Sequence, residues 1–397
     1  MSIPELKLKQ GKDRALRFRH PWIFSGAIQR IPNSLTPGTI VDLLSADGAF
    51  YARGTFEGGS IAVKILSFAR ETIDQVFFEA RLTEALDIRR RVGVFQSGQT
   101  NAYRLVHGEG DYLPGLIVDI YDRVVVAHCQ SLGMSQMADH ICAALRRVLG
   151  AAVESLVLKK NATDGLAGHG KPELIFGSRT ESEIIENGAK YFVDCLHGQK
   201  TGFFLDQRDN RLKLRSFVVG KRVLNAFCYS GGFTINAFLG GAARVDSIDS
   251  SWAALDLLRR NLSLNNFSSD NAEVSGEVIE ADCFKILPDL AKDYEVIVLD
   301  PPAFAKHRKD IQAALRGYQF INAAAIRGLP IGGILVTFSC SQLVSKDDFW
   351  AAIQAAAAET GRHVRIIGEL HQAACHPISA YHPEGLYLKG LILIVTA

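Results

Sequence analysis

The sequence is poor in the features that mark membrane-spanning, secreted and metal-binding proteins. It has no run of 18 apolar residues, and its start, MSIPELKLKQGKDRALRFRH, lacks the apolar segment of a signal peptide. Its seven cysteines are an odd number and form no Cys-x-x-Cys pair, which disfavours a disulfide framework or a zinc site. We therefore expect a cytoplasmic protein without a membrane segment or a bound metal, in which six of the seven cysteines are small buried apolar side chains.

The chain also lacks a strong excess of charge of either sign. Its formal net charge is +2 and charged residues make up 22% of it, so total charge indicates no nucleic-acid partner. Basic residues are instead concentrated in three short segments, KLKQGKDRALRFRH near the start, RRR at 89–91 and KHRK at 306–309. Any one such segment is typical of a solvated face, and only their recurrence bears on a partner.

Three zones of different character follow one another along the 397 residues. Residues 1–70 hold the strand-like runs TIVDLLS, FYARGTF and IAVKILS between glycine turns, which predicts a β-rich domain. Residues 71–185 begin with a predicted helix over 72–92 and continue as a small α+β domain, with a further helix in MSQMADHICAALRRVLG. Residues 186–397 alternate strands and helices, which predicts an α/β domain with a parallel sheet and helices on both of its faces.

The last zone has a candidate cofactor site, because ligands of such sheets bind beyond the carboxyl ends of the strands. Gly231 and Gly232 follow the strand RVLNAFC and let the backbone approach a ligand, although a glycine pair is also common in plain turns. Asp249 ends the next strand, where an acid binds a ribose diol, and its alternative role is a helix N-cap. Asp282 follows the third strand and suits an adenine amino group. The three features in order predict a nucleoside cofactor.

The turn after the first strand indicates which nucleoside. CYSGGF contains neither Gly-x-Gly-x-x-Gly nor Gly-Lys-Ser/Thr, the patterns that bind pyrophosphate and triphosphate. S-adenosylmethionine carries no phosphate, and its ribose and adenine both suit acids, so it fits better than NAD. We include Phe227 and Tyr229 of the same turn among the residues predicted to bind the cofactor.

Five motifs give the chain a family resemblance. GFFLDQRDNR, LNAFCYSGGFT, LDPPAF, FSCS and HPEGLYLKG together resemble the 23S ribosomal RNA large subunit methyltransferase I family, which forms 5-methylcytosine. The resemblance extends over nearly the whole chain. It implies an N-terminal PUA domain, a central α+β domain and a C-terminal class I (Rossmann-like) methyltransferase domain that uses S-adenosylmethionine.

The resemblance also implies roles for individual residues. Asp249 would bind the ribose and Asp282 the adenine side of the cofactor. Asp300 of LDPPAF would lie beside the methyl donor, and Cys340 of FSCS would be the nucleophile. Gln207 and Arg208 would help to close the cofactor pocket.

The segment LDPPAF ends a buried strand on an acid and then stiffens the exit with two prolines. We expect it to hold the target base, with Asp300 as a hydrogen-bond partner and Phe304 as a stacking face. Pro301, Pro302 and Lys306 complete the predicted substrate-binding set. The alternative is that Phe304 belongs to the core and the prolines only end a strand.

Carbon 5 of cytosine needs activation before it attacks a methyl group. A thiolate that adds to C6 provides this activation, so the chemistry requires one reactive cysteine, for which we predict Cys340. The cations of KHRK, at 306–309, are candidates to lower its pKa, and the alternative is a packed thiol at a strand end. Ala303 stands where some RNA cytosine-5 enzymes carry a second cysteine, so Asp300 or a water molecule would remove the C5 proton.

The expected partner is 23S ribosomal RNA, naked or partly assembled, because a base inside a duplex must be flipped out before it reacts. The recurring basic segments beside a PUA domain favour RNA, and a homodimer is left open. Two other functions remain: methylation of a base nitrogen (guanine N7 or N2, or adenine N6) and a non-catalytic RNA-binding assembly factor. The C-terminal loop with His376, His382 and Glu384 is considered as a metal site and set aside in favour of a loop that closes over the base.

Overall fold

The computed structural model describes residues 3–95, 98–161, 170–267 and 275–397. The chain divides into two units. The first comprises Met1–Ile184, Val193–Leu205 and Ala374–Gly385. The second comprises Ile185–Phe192, Asp206–Ala373 and Leu386–Ala397. Among the described helices, none combines the length and the apolar composition that crossing a membrane requires.

The first unit begins with a five-stranded sheet in the order β1-β3-β4-β5-β2, in which only β1 and β3 are parallel. Its elements are β1 (Glu5–Lys7), α1 (Arg14–Arg17), β2 (Trp22–Phe24), β3 (Ile40–Leu44), β4 (Phe50–Phe56) and β5 (Ile61–Ser67). The three strands predicted from apolar runs are β3, β4 and β5. Glycines at the turns between them separate the runs, which is why this part of the chain could be predicted from its sequence.

Helix α2 (Gln75–Arg91) connects this sheet to the next one along the chain. Asp74 caps its N-terminus by accepting hydrogen bonds from the backbone N–H of Val76 and Phe77. The expectation that RRR at 89–91 is a solvated basic segment is wrong for Arg89, in the last turn of this helix. Arg89 is fully buried and pairs with Asp111 through two hydrogen bonds. The Arg89 guanidinium therefore stabilises the fold of the first unit. Of the three arginines, only Arg90 and Arg91 could contact a partner.

The second sheet of the first unit has the order β10-β9-β8-β7-β6. Its elements are β6 (Ala102–His107), β7 (Leu116–Tyr121), β8 (Val124–Cys129), α3 (Leu132–Gln136), α4 (Ala138–Leu149), β9 (Ser155–Lys160) and β10 (Glu173–Phe176). The helix predicted in MSQMADHICAALRRVLG is therefore two helices. They meet at Met137, whose backbone angles leave the helical region. A two-stranded sheet of β11 (Glu181–Glu186) and β12 (Ala189–Asp194) follows.

The second unit is built on a seven-stranded sheet in the order β15-β14-β13-β16-β17-β19-β18. Its strands are β13 (Arg222–Ala226), β14 (Arg244–Asp249), β15 (Val278–Glu280), β16 (Val296–Leu299), β17 (Ile334–Ser339), β18 (Val364–Leu370) and β19 (Lys389–Val395). Its helices are α5 (Arg208–Leu214), α6 (Gly232–Leu239), α7 (Trp252–Leu264), α8 (Cys283–Leu290), α9 (Ile311–Gly328) and α10 (Lys346–Thr360).

The prediction of a parallel sheet holds for β13 to β17 and fails at one edge. Strand β19 runs antiparallel to both β17 and β18. A parallel connection needs a crossover, usually a helix, whereas residues 371–388 between β18 and β19 contain no α-helix. The central strands read as continuous apolar runs because both of their faces are covered: Ile297 packs into one apolar cluster and Val298 into the other.

Candidate active site

The parallel strands of the second unit bring the predicted residues to one edge of the sheet. Strands β13, β14, β15, β16 and β17 are hydrogen-bonded neighbours, so their carboxyl ends lie side by side. The residues that follow these ends include Phe227, Asp282, Asp300 and Cys340, and Asp249 is the last residue of β14. This edge is where ligands bind in sheets of this kind.

The turn between β13 and α6 has an unusual backbone. Phe227 and Tyr229 have positive φ angles of 59° and 47°, and Gly231 has φ of 82°. A side chain in this region costs on the order of 1–3 kcal/mol, so two such residues persist only where their surroundings impose the conformation. Hydrogen bonds impose it here: the Phe227 N–H lies 3.3 Å from Sγ of Cys283, and the Tyr229 N–H lies 2.9 Å from a carboxylate oxygen of Asp249. The positive φ angles of Phe227 and Tyr229 could not be predicted from the spacing of residues in the sequence.

The glycine pair has a packing reason of its own. A Cβ on Gly231 would lie 2.1 Å from Cδ1 of Leu258, and a Cβ on Gly232 would lie 2.9 Å from Cδ of Arg211. Gly231 also stands at the N-cap of α6 in the left-handed region. Both positions therefore require glycine whether or not a ligand binds, which agrees with the view that the pair alone is a weak sign of a cofactor.

Asp249 holds the turn and the start of the next helix together. Its two carboxylate oxygens accept hydrogen bonds of 2.9 Å from the backbone N–H of Tyr229 and of Ser251. The N-cap of α7 is Ser251, so the alternative prediction that Asp249 is the N-cap is wrong. An ionised carboxylate offers about four acceptor positions, so two remain for a diol.

Asp282 is the N-cap of α8 and accepts a hydrogen bond of 3.0 Å from the Phe284 N–H. Its side chain is exposed, and its binding to adenine stays a prediction. Gln207 and Arg208 both lie buried at the start of α5. Nε2 of Gln207 donates a hydrogen bond of 2.9 Å to Asp300, and Nε of Arg208 lies 3.1 Å from Asp209.

The two motifs LDPPAF and FSCS are in contact. Sγ of Cys340 donates to the carbonyl oxygen of Pro301 at 3.7 Å, and the N–H of Ala305 donates to Oγ of Ser341 at 3.3 Å. Pro301 is buried, whereas Pro302 and Lys306 are exposed. The ring of Phe304 is half-buried, and its centroid lies 4.6 Å from that of the Tyr318 ring. Phe304 therefore takes part in core packing, and its stacking on a base stays a prediction.

The hydroxyl of Tyr318 fixes the chain on both sides of Cys340. Oγ of Ser339 donates to it at 3.0 Å, and Oγ of Ser341 shares a hydrogen bond of 2.9 Å with it. Successive side chains of an extended chain point to opposite sides. Because the side chains of Ser339 and Ser341 both point towards Tyr318, the side chain of Cys340 between them points to the opposite side. Cys340 accordingly packs against the apolar cluster on the other face of the sheet.

Cys340 differs from the other cysteines in its exposure. It is half-buried, and the remaining six are buried, which confirms the prediction of six packed thiols. Burial raises the pKa of Cys129 and of Cys283 to about 12, so these thiols stay protonated and inert. The thiol that follows β17 is therefore the most exposed of the seven, and its role as a nucleophile stays a prediction.

Comparisons with known proteins show the family of this chain. A family model described as a PUA-like domain matches residues 6–68, and one described as an S-adenosylmethionine-dependent methyltransferase matches residues 163–364. A ribosomal RNA large subunit methyltransferase I from Escherichia coli is 39% identical over 404 residues, which cover 98% of this chain and 98% of that protein. The chain belongs to the ribosomal RNA large subunit methyltransferase I family.

Solved structures show the same fold along the whole methyltransferase. A candidate S-adenosylmethionine-dependent methyltransferase from Streptococcus mutans superposes with a TM-score of 0.83 at 22% identity, over 99% of this chain and 100% of that chain. A second candidate methyltransferase, solved with S-adenosylhomocysteine, gives a TM-score of 0.84 at 21% identity, with the same coverage of both chains. The predicted fold class and the predicted cofactor, S-adenosylmethionine, are thereby confirmed.

Besides Tyr318, the methyltransferase has a second polar residue at this edge that was not predicted from the sequence, Lys389. Nζ of Lys389, at the start of β19, donates hydrogen bonds of 2.7 Å to the carbonyl of Ser341 and 2.8 Å to that of Val344. Burial lowers the pKa of Lys389 to about 8. Lys306–Lys309, the cations proposed to act on the thiol, are exposed. The sequence feature that could have indicated Lys389 is its position as a single lysine inside the apolar run YLKGLILIV.

The C-terminal loop groups its histidines differently from the prediction. Within the first unit, His376 lies beside His107, with ring centroids 5.0 Å apart. His382 instead joins His20 and Glu384, with Nε2 of each histidine within 4 Å of the same carboxylate oxygen. Nδ1 of His20 accepts a hydrogen bond of 3.1 Å from the Trp22 N–H, which places its proton on Nε2, toward Glu384. Both ring nitrogens of His382 are buried without a hydrogen-bond partner among the described residues, and the ligand atoms of the three side chains lie within 4.8 Å of one another. The absence of a bound metal therefore stays a prediction.

Proposed function

We propose that this protein methylates carbon 5 of a cytosine in 23S ribosomal RNA through a covalent bond between Cys340 and carbon 6 of the base. The observation that carries the proposal is the position of Cys340. It is the half-buried thiol among seven cysteines, it follows a central strand of the sheet, and it contacts Pro301 of LDPPAF. A nucleophile has to be exposed to its substrate and close to the residues that hold it.

The chemistry asks three things of the residues at this edge. The Cys340 thiolate adds to C6, which turns C5 into a nucleophilic enamine carbon. The S-adenosylmethionine, when bound, supplies the electrophilic methyl group on its sulfonium. Asp300 or a water molecule then accepts the C5 proton, and the Cys340 sulfur leaves C6 as a thiolate, which restores the aromatic ring.

The cofactor fits the residues present at the carboxyl ends of β13 and β14. Asp249 keeps two acceptor positions for the ribose diol, and the strained turn that contains Phe227 and Tyr229 is fixed in advance by hydrogen bonds. Asp300 is held by Gln207, which suits a group placed between the methyl donor and the base. Prior fixation of this kind lowers the cost of bringing the reacting groups together.

The substrate is proposed from the family and from local charge. The relatives are named for the large-subunit ribosomal RNA, and a PUA-like domain accompanies the catalytic unit. Flipping a base out of a duplex costs a few kcal/mol, and least where the RNA is open, so we propose naked or partly assembled RNA as the substrate. A cytoplasmic location accords with this substrate, and a homodimer stays a prediction. We also propose domain boundaries at 1–70, 71–185 and 186–397.

The decisive experiment measures transfer of labelled methyl groups to protein-free large-subunit RNA, followed by nucleoside analysis. We expect 5-methylcytidine with the unchanged protein and none with Cys340→Ala. Cys142→Ala, which removes a buried thiol on α4, is the matched control and should retain activity. Calorimetry with S-adenosylhomocysteine checks that each variant still binds the cofactor.

Two outcomes would replace the proposal. If a methylated purine appears and survives Cys340→Ala, the enzyme acts on a base nitrogen, which needs no thiol. If the unchanged protein binds RNA without binding the cofactor, it is an assembly factor. RNA that contains 5-fluorocytidine adds a direct test: the fluorine cannot leave as a proton does, so a stable adduct to Cys340 should accumulate.

A further inference from the structure

We propose that Lys389 is the positioning residue of the nucleophile: its ammonium group fixes the turn that follows Cys340 and supplies the positive charge that favours the Cys340 thiolate. This inference rests on the proposed function, because it concerns the same thiol. It assigns the charge to a residue 49 positions after the nucleophile and on a different strand. The exposed cations that follow LDPPAF are not needed for it.

The geometry comes from the antiparallel pairing of β17 and β19. In this register Lys389 lies opposite Ser339, the residue before Cys340. Its side chain donates to the carbonyl oxygens of Ser341 and Val344, both within 2.8 Å. Two of the three donors of the ammonium group are therefore fixed on the backbone that carries the nucleophile.

The charge of Lys389 lacks a carboxylate partner. The residue is 7% exposed, and within the described part of the chain no ion pair to an Asp or Glu includes it. A buried ammonium without a counter-ion is costly, and burial is the main cause that lowers its pKa. A negative charge on Cys340 acts in the opposite direction and raises the pKa of Lys389. A thiolate at position 340 is thus the natural counter-ion, and each group stabilises the charged form of the other.

Two other titratable groups lie on the segments that contact the chain around Cys340. Tyr318 on α9 has its hydroxyl engaged by Ser339 and Ser341. Asp300 precedes Pro301, the residue whose carbonyl contacts the thiol, and Gln207 donates to its carboxylate. Neither group can supply a positive charge, whereas Lys389 is a cation hydrogen-bonded to the carbonyl of Ser341, the residue after Cys340.

The test measures the pKa of Cys340 directly, without RNA or cofactor. The rate of alkylation by iodoacetamide is followed against pH for the full chain, because the thiolate is the form that reacts. Cys340→Ser gives the background from the six buried thiols. Lys389→Met removes the charge and keeps an unbranched side chain, and Lys346→Met removes an exposed lysine of α10 as the matched control.

We expect Lys389→Met to raise the midpoint of the alkylation curve by about one pKa unit or more, and to slow the reaction at pH 7 by about tenfold, with an unchanged plateau at high pH. Lys346→Met should behave as the unchanged protein. An unshifted midpoint in Lys389→Met would overturn the proposal. A role limited to holding the turn would change the plateau or the folding and leave the midpoint in place.

A reciprocal measurement keeps the test decisive if Lys389→Met does not fold. The coupling of two charges acts equally on both, so Cys340→Ser should lower the pKa of Lys389, followed by NMR of ¹³C-labelled lysines. No change in that titration would also overturn the proposal. Failure of the proposed function is separate: if Cys340→Ala still forms 5-methylcytidine, the nucleophile is wrong, whereas the coupling of Lys389 to the thiol is measured independently of methyl transfer.

Discussion

The side-chain amide of Gln207 donates a hydrogen bond of 2.9 Å to the carboxylate of Asp300, 93 residues further along the chain. Asn210 donates in turn to Oε1 of Gln207 at 2.7 Å, and this contact fixes which end of the amide faces the carboxylate. The bond joins the motif GFFLDQR to LDPPAF. It shows how a residue outside the sheet orients the acid that we place beside the methyl donor.

Replacing Gln207 by leucine should therefore impair methyl transfer more than cofactor binding. The variant keeps the volume and removes the donor to Asp300, and the loss of a buried hydrogen bond to a charged group costs about 1.5–3 kcal/mol. We expect kcat to fall by about tenfold or more. Gln319→Leu, on the exposed side of α9, is the control, and an unchanged kcat in Gln207→Leu would contradict the role given to Asp300.

Asp249→Asn should weaken cofactor binding. The carboxylate accepts two backbone N–H groups, and an amide can accept only one of them while its NH₂ group opposes the other. We expect the Kd for S-adenosylhomocysteine, measured by calorimetry, to rise by about 10- to 100-fold, equivalent to about 1.4–2.8 kcal/mol. Asp289→Asn, at an exposed position of α8, should bind normally. Equal affinity of both variants would remove Asp249 from the cofactor site.

Tyr318→Phe should lower both stability and activity. It leaves the hydroxyls of Ser339 and Ser341 without their buried partner, at a cost of about 1–3 kcal/mol in the free energy of unfolding. The segment around Cys340 then loses its fixed direction, so kcat should fall. Urea unfolding and single-turnover methyl transfer measure the two effects.

The control for this variant is another buried tyrosine of the second unit. The hydroxyl of Tyr294 donates to Asp246, and Tyr294 precedes β16, at the opposite end of the sheet from Cys340. Tyr294→Phe should lose comparable stability and keep its activity. If both variants lose activity equally, stability alone explains the effect and the positioning role of Tyr318 is wrong.

Arg211→Met should be the most destabilising of these changes. Its guanidinium makes two hydrogen bonds of 2.7 Å to Glu186, and both side chains are buried. Removing one partner of a buried pair leaves an uncompensated charge and costs about 3–5 kcal/mol. The double variant Arg211→Met, Glu186→Gln removes that charge and should recover part of the loss in urea unfolding. No recovery would assign the loss to packing.

The buried ammonium of Lys389 gives the second unit a specific dependence on pH. Burial lowers the pKa of Lys389 to about 8, from an ordinary value of about 10.4. Between these two values the unfolded chain binds more protons than the folded one, so this group increases stability as the pH rises from about 8 toward about 10.4.

Urea unfolding at pH 7.5 and 9.5 measures this contribution. We expect the gain between the two pH values to be smaller in Lys389→Met than in its parent, with both compared in a Cys340→Ala background so that the thiol does not titrate. The same gain in both proteins would show that Lys389 has an ordinary pKa.

Local patterns were enough to predict the main elements of the structure. The strands β4 and β5 begin and end where the runs FYARGTF and IAVKILS do. The acids Asp249, Asp282 and Asp300 lie at or just beyond strand ends, as their positions in the sequence indicated. These features could be predicted because alternating strands and helices form a parallel sheet, in which the carboxyl ends of all the strands lie along one edge. The cysteines could be sorted as well, because the position of Cys340 after a central strand set it apart.

The sequence by itself determined the parallel part of the sheet, the order of the acids along its edge and which of the seven thiols is not fully buried. Only the tertiary structure decided what surrounds them. The strained turn at Tyr229 depends on a backbone conformation that has no sequence period. The two serines fixed by Tyr318 and the antiparallel register that places Lys389 opposite Ser339 join residues that are distant in the chain. Periodicity reports which face of an element is apolar, whereas a hydrogen bond or a pair of charges depends on which two elements meet and in what register.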